Sequence, residues 1–152
     1  MSDARAPNYR PLTRAEIDAL LARQNVGRIA FTFRDRVDVE PINYVYHDGW
    51  IYLRTGPGSK LSTLARHPWV AFEVDEVDGT FDWRSVVVHS TVYELTPGGT
   101  EEQQASYDQG VEILRRLIPE TFTETDPVPA RNVILRMKVD EVSGRASSTS
   151  VA

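Results

Sequence analysis

The sequence predicts a mainly β protein, a small antiparallel barrel of six strands with a few peripheral helices. Six segments have the alternating or β-branched patterns of strands, and most follow one another through short turns. Such spacing favours hairpins. The chain has 152 residues, of which 41% are hydrophobic and 26% charged, as is usual for one soluble domain. A β-sandwich is the competing architecture.

The elements follow in a simple order. Helical periodicity over 12–24 begins at Thr13, which with Glu16 has the pattern of a capping box, and Gly27 follows its end. Strands are predicted at 28–33, 37–46, 50–55, 69–77, 83–95 and 132–142, and a short helix at 60–66.

A second longer helix is predicted from Thr100, which forms a capping box with Gln103, to about Ile118, before Pro119. We expect one domain over 12–145, with flexible segments at 1–11 and 146–152, because both ends are polar and small.

Composition narrows the functional classes. The formal charge of −5 disfavours a general nucleic-acid binder, since such proteins carry a basic excess. No apolar run reaches membrane-spanning length, and there is no cysteine. The three histidines lack metal-ligand spacing, so no metal site is predicted. We therefore expect a cytoplasmic protein without nucleic-acid or membrane partners.

The most informative stretch is 54–61, Arg-Thr-Gly-Pro-Gly-Ser-Lys-Leu, between a strand and a short helix. Its glycines let backbone N–H groups turn inward, and Ser59 is the expected N-cap. Arg54 and Lys60 add positive charge beside the helix N-terminus, where N–H groups and the helix dipole favour an anion. The stretch predicts a pocket for a phosphate monoester. A capped turn with two solvated cations is the alternative.

Five segments in order carry a family resemblance. They are Val26-Gly27-Arg28-Ile29-Ala30-Phe31, Pro41-Ile42-Asn43-Tyr44, the stretch 54–61, Trp83-Arg84-Ser85-Val86-Val87-Val88, and Val139-Asp140-Glu141-Val142-Ser143-Gly144-Arg145. In this order they resemble pyridoxamine 5′-phosphate oxidase-like proteins, which share the FMN-binding split-barrel fold. The likeness extends from about Leu12 to Arg145.

The resemblance implies a homodimer that binds FMN at the interface of its two barrels. Arg54 and Thr55 stand where the family's strand end meets the ribityl phosphate, and Ser59 and Lys60 resemble the phosphate clamp. The remaining implied site residues are Ile42 and Asn43 on the strand that passes the isoalloxazine ring, Ser85 where the oxidases carry a glutamine, and Trp83 and Arg145, which the partner protomer could supply.

Two departures point away from pyridoxamine phosphate as the substrate. The oxidases that give the family its name have two adjacent basic residues in the phosphate loop, where this chain has Ser59-Lys60. Their C-terminal segment rich in Arg and His has no counterpart in the final Ser-Ser-Thr-Ser-Val-Ala. The chain is more similar to the smaller nitroimidazole-reductase-like relatives.

The resulting expectation is an FMN-dependent oxidoreductase that acts on a small organic molecule. Since the flavin itself performs the redox chemistry, the absence of a catalytic dyad or triad is no objection. The alternatives are a flavin-, F420- or haem-binding protein without efficient turnover, and a catalytically silent dimeric fold. For haem, His89 would be the first axial-ligand candidate.

Overall fold

The computed structural model describes residues 6–149 of the chain and, within them, every side chain except that of Ser59. In chain order the elements are β1 (Asn8–Pro11), α1 (Arg14–Arg23), β2 (Val26–Phe33), β3 (Arg36–His47), β4 (Trp50–Thr55), α2 (Ser59–Arg66), β5 (Trp69–Gly79), β6 (Asp82–Leu95), α3 (Glu101–Leu114), β7 (Val133–Lys138) and β8 (Glu141–Ser148).

The strands form a six-stranded antiparallel split barrel, as the sequence predicts. The ring runs β6-β5-β2-β3-β4-β7 and closes because β7 pairs again with β6. The long strand β6 makes this closure possible: it pairs with β5 up to Thr91 and with β7 from Val92 onward. β8 follows β7 along β6, where it pairs with residues 83–89, and β1 pairs with β8 outside the ring.

Alternation along the strands fills the barrel with apolar side chains. Phe72 and Tyr44 pack edge to face with ring centroids 5.3 Å apart, and both are buried. Burying side chains of this size contributes about 1.5–3 kcal/mol each. Gly27 is required beside them, because a Cβ there would lie 2.4 Å from the ring of Phe72. Burial also raises the pKa of Tyr44, whose hydroxyl donates to the carbonyl of Leu21 on α1.

The helices have distinct positions. Both predicted capping boxes are confirmed, at Thr13 on α1 and Thr100 on α3. α3 packs on the outer face of the barrel, where Ile113 and Leu114 form a second apolar cluster with Tyr52 and Ile134. No helix within residues 6–149 is long and apolar enough to cross a membrane.

Three local boundaries differ from the predictions. The segment predicted as one strand over 132–142 is two strands, which both pair with β6 and are separated at Val139 and Asp140, where the N–H of Val139 donates to the carbonyl of Gly49. β8 continues to Ser148, where Ala146 and Ser147 are buried by pairing with β1. Parts of both predicted flexible segments are thus strands, and the rest, 1–5 and 150–152, lie outside the described residues. Helix α3 ends at Leu114, and hydrogen-bonded turns lead on to Ile118.

Candidate functional site

The end of β4 and the start of α2 form an open helix N-terminus. Gly58 is the N-cap, with φ +150° and ψ −166°, a conformation that essentially only glycine adopts. The prediction that Ser59 is the N-cap is therefore wrong: Ser59 is the first helical residue. The first helical bond runs from the N–H of Ser62 to the carbonyl of Gly58 at 3.1 Å. The N–H groups of residues 59–61 precede it, at the positive end of the helix dipole.

Lys60 brings a cation to this helix end. Its Nζ lies 2.7 Å from Oε2 of Glu40, a residue of β3. The Lys60 side chain is 23% exposed and the Glu40 side chain 47%. This pair ties α2 to the strand that also carries Ile42 and Asn43.

Arg54 has a different environment from the one predicted. It is 7% exposed, and its guanidinium binds Asp126 (Nη2 to Oδ2, 2.5 Å) and donates from Nε to the carbonyl of Arg131 at 2.9 Å. Phe122 lies under the guanidinium, 4.8 Å from ring centroid to Cζ. The hydrogen bond from Arg54 and those from the N–H groups of Phe122 and Val128 lower the pKa of Asp126 to about 2. Arg54 thus holds the 121–131 loop to β4, and its predicted contact with a phosphate stays a prediction.

The same loop encloses the residues between β4 and α2. A Cβ at Gly56 would lie 2.8 Å from the carbonyl oxygen of Ala130, so only glycine fits. Thr55 is 6% exposed, and its hydroxyl makes a long bond of 3.5 Å to the carbonyl of Gly56. The loop therefore fixes the path of the chain into α2.

Ile42 and Asn43 lie on opposite sides of β3. The Ile42 side chain is buried in the barrel core, so only its backbone could line a ring. The Asn43 side chain is exposed on the outer face, and its Nδ2 donates to the carbonyl of Asn25 at 3.3 Å.

Ser85 and Trp83 lie on β6, away from the helix end. β5 and β2 separate β6 from β3, so three strand spacings, roughly 14 Å, lie between Ser85 and β3 within the chain. The Trp83 ring lies 6.3 Å from that of Tyr9, between centroids. Arg145 pairs with Ser85 in the β6–β8 register. The predicted site residues thus form two separate groups in the chain, one at α2 and β3 and the other on β6 and β8.

A charged cluster surrounds Ser85. Its hydroxyl donates to Oε2 of Glu73 at 2.9 Å, and Arg28 bridges Glu73 and Asp75, each at 2.8 Å. Desolvation and the neighbouring Asp75 raise the pKa of Glu73. Because the Ser85 hydroxyl donates its hydrogen bond to Glu73, its Oγ can only accept a hydrogen bond from any further partner.

The outer face of β2, β3 and β5 carries several exposed apolar side chains. Val39 is 64% exposed and Val37 76%, and Val26 and Val77 are also exposed. α3 covers the barrel on the side of β4 and β7. Among the described elements none packs over Val37 and Val39.

Sequence reasoning missed three partners: Asp126 for Arg54, Glu73 for Ser85, and Glu40 for Lys60. Asp38 and Glu40 suggest a solvated strand face by their spacing, and Asp126 lies in a segment with the composition of a solvated loop. Only the packing of α2 against β3, with Lys60 Nζ beside Glu40, shows which carboxylate reaches the helix end.

The donors at the start of α2 fit a phosphate monoester. Free N–H groups, the helix dipole and an ammonium group all favour a dianion there. Gly58, with nothing within 4 Å of a built Cβ, leaves space at the cap. The carboxylate of Glu40 opposes an anion, so phosphate binding would require Lys60 to break or share its ion pair.

Comparisons with known proteins agree with this architecture. A family model described as pyridoxamine 5′-phosphate oxidase matches residues 13–146. The crystal structure of a FAD-binding protein from Mesorhizobium loti is similar, with 26% identity, a TM-score of 0.72, and 94% of this chain and 99% of that chain covered. A candidate 5-nitroimidazole antibiotic resistance protein of Bacteroides thetaiotaomicron shares the fold at 18% identity and a TM-score of 0.69, covering 94% and 90%.

A comparison by sequence with curated proteins gives a match over a shorter part of the chain. An uncharacterized protein of Rhizobium meliloti (strain 1021) is 28% identical over 86 residues, which are 57% of this chain and 57% of that protein.

Proposed function

The chain belongs to the pyridoxamine 5′-phosphate oxidase family, and from this premise we propose that it is an FMN-dependent oxidoreductase acting on a small organic molecule. The observation that carries the proposal is the open N-terminus of α2, where Gly58 caps the helix and Lys60 lies in its first turn. The FAD-binding name of the Mesorhizobium loti structure supports a flavin.

The phosphate of FMN would bind at the start of α2. Lys60 would supply the charge, and the backbone N–H groups of residues 59–61 the directional donors. Ser59 and Thr55 are the hydroxyl-bearing residues at this end. Arg54 would act indirectly, because its contacts with the 121–131 loop fix the turn that leads into the helix.

The ring would lie against β3 and be completed by a second protomer. Ile42 and Asn43 are on the strand that Lys60 contacts through Glu40. Ser85 and Trp83 are about three strands away in the same chain, so they would serve the site of the partner protomer. The exposed Val37 and Val39 support a homodimer that covers this face.

The bound flavin would supply the hydride and electron chemistry. The residues of this chain would hold and tune it. The Ser85 hydroxyl donates its hydrogen bond to Glu73, so its Oγ remains an acceptor. It would suit an N–H donor of the ring. Arg28 holds Glu73 and Asp75 in place beside it.

The absorption spectrum of the freshly purified protein, followed by titration with FMN, FAD, F420 and haemin, tests the proposal. A flavin spectrum or tight FMN binding, followed by reoxidation of the reduced protein by a nitroaromatic compound or a quinone, is the expected result. Tight binding without reoxidation by any acceptor would indicate a flavin carrier. If F420 or haemin binds more tightly than FMN, that compound replaces FMN as the proposed cofactor. If none of the four compounds binds, the proposal is refuted.

A further inference from the structure

A second cleft lies at the far end of β4 from the proposed phosphate site. Trp50 begins β4 and Thr55 ends it, so the two are roughly 17 Å apart along the strand. The cleft has a volume of about 420 Å³, which is within the range of small-molecule sites. Its lining is mainly aromatic and charged: Trp50, Trp69, His89, Tyr93, Arg136 and Lys138, with Asp140 and Glu141.

The cleft forms where α3 stops covering the barrel. Gly110 of α3 is packed against Leu95 and Ile134, which pair in the β6–β7 register. Two residues along β7, Arg136 pairs with Tyr52 on one side and Tyr93 on the other. Arg136 therefore lies at the edge of α3, with Glu102, Gln103 and Ser106 of the helix on one side and the cleft on the other.

Arg136 packs its guanidinium over an aromatic ring and makes no ion pair within the described residues. Its side chain is half-buried, with Cζ 4.3 Å from the centroid of the Trp50 ring. Its Nε is buried without a hydrogen-bond partner. Within residues 6–149 no carboxylate lies within ion-pair distance of it, in contrast to Arg54 and Arg28. Because Nε has almost no accessible surface, a ligand would bind the N–H groups of the two Nη atoms, and a carboxylate can accept from both of them in the plane of the guanidinium.

The walls of the cleft suit a flat ring. Trp69 is 55% exposed and stacks on His89, with centroids 6.4 Å apart and planes 18° apart. Tyr93 is 52% exposed and Trp50 adds a further aromatic face. Exposed aromatic side chains around a cleft offer stacking and edge contacts to a planar apolar group.

The charged side chains of the cleft favour a ligand with a single negative charge. Arg136 and Lys138 are balanced by Asp140 and Glu141, and Lys138 lies 3.8 Å from Asp140 at the rim. A phosphate dianion would meet both carboxylates, whereas a carboxylate needs only Arg136. We propose that this cleft is a binding site for an aromatic monocarboxylate, with the carboxylate on Arg136 and the ring among Trp50, Trp69 and Tyr93.

Titration of the full-length apoprotein with benzoate, followed by tryptophan fluorescence and calorimetry, tests this site without any flavin. We expect saturable binding, weakened by at least about tenfold in Arg136→Gln and unchanged in Arg36→Gln, an exposed arginine of the β2–β3 hairpin. Benzamide, which is flat but neutral, and cyclohexanecarboxylate, which is charged but not flat, should both bind more weakly than benzoate.

Four results would overturn the proposal. The first three are no saturation below about 10 mM benzoate, a weak affinity for a ligand of this size; equal binding of benzamide and benzoate; and wild-type affinity in Arg136→Gln. Displacement of benzoate by FMN would also overturn it, since the cleft would then not be separate from the flavin site. The benzamide comparison needs no variant, so it holds even if Arg136→Gln alters the fold.

Discussion

Lys60 of α2 and Glu40 of β3 form a 2.7 Å ion pair at the mouth of the barrel. The Glu40 carboxylate pairs with the Lys60 ammonium group, which a bound phosphate would also need as its partner. Glu40 is therefore an internal competitor for the proposed ligand, and its removal should have an effect opposite to that of removing Lys60.

Glu40→Gln should bind FMN more tightly. The variant frees Lys60 and removes a negative charge near the phosphate. Because both side chains are partly exposed, we expect an effect of an exposed ion pair, about two- to fivefold in Kd. Flavin fluorescence titration measures it. The control is Asp38→Asn, an equal change of charge two residues along the same strand, which should change Kd less. Equal or weaker FMN binding in Glu40→Gln would contradict the competition.

Gly58→Ala should weaken FMN binding as well as stability. The φ of +150° is strained for alanine, so the helix cap must shift, at a cost of about 1–3 kcal/mol. Gly49→Ala is the matched control: it has φ +80° in a turn and nothing within 4 Å of a built Cβ. Both variants should lower Tm, and only Gly58→Ala should raise the Kd for FMN. A similar change in Kd for both variants would mean that the cap has no special role.

Asp126→Asn should destabilise the protein, because the charge of buried Arg54 loses its partner. We expect a fall in Tm of several degrees at pH 7, whereas Glu120→Gln, at an exposed site in the preceding turn, should have little effect.

The difference in stability between the wild type and Asp126→Asn should become smaller as the pH falls. The pKa of Asp126 is lowered to about 2 in the folded state, from an ordinary value near 3.8. The ion pair therefore stabilises the fold fully above pH ~4, and its contribution is lost as the pH falls towards 2. Urea unfolding of wild type and Asp126→Asn at several pH values should show the difference shrink across this window. A difference that stays constant down to pH 2 would show that the charge of Asp126 does not matter.

Val39→Asp should dissociate the proposed homodimer. Val39 is 64% exposed on the apolar outer face of β3, and a charge there would have to be desolvated in an interface. Sedimentation of the wild type should give about twice the chain mass of 17.2 kDa, and the variant should give the monomer. Tyr93→Asp changes a side chain that is 52% exposed on β6, away from this face, and should leave the mass unchanged. A monomeric wild type would refute the dimer.

Local signals in the sequence predicted much of the fold. The capping boxes of Thr13 and Thr100 depend on contacts three residues apart, and both are present. The six strands of the ring follow from period-two alternation, and each pairs as an antiparallel barrel requires.

Contacts between distant segments could not be predicted in this way. Arg54 and Asp126 are 72 residues apart, and nothing local distinguishes Asp126 from a solvated loop acid. The small polar residues of 146–148 resemble a frayed end, yet pairing with β1 buries Ala146 and Ser147. Arg136 resembles any strand arginine until its neighbours on β4 and β6 are known.

The most direct test of the phosphate site compares FMN with riboflavin, which lacks the phosphate, in wild type and in Lys60→Ala. The wild type should prefer FMN, and Lys60→Ala should weaken FMN binding by about 1.5–3 kcal/mol, roughly ten- to hundredfold, while riboflavin binding stays the same. Lys138→Ala removes an exposed lysine at the end of β7, opposite Trp50 at the far end of β4, and should behave as wild type. Equal binding of FMN and riboflavin by the wild type, or unchanged FMN affinity in Lys60→Ala, would contradict a phosphate site at the start of α2.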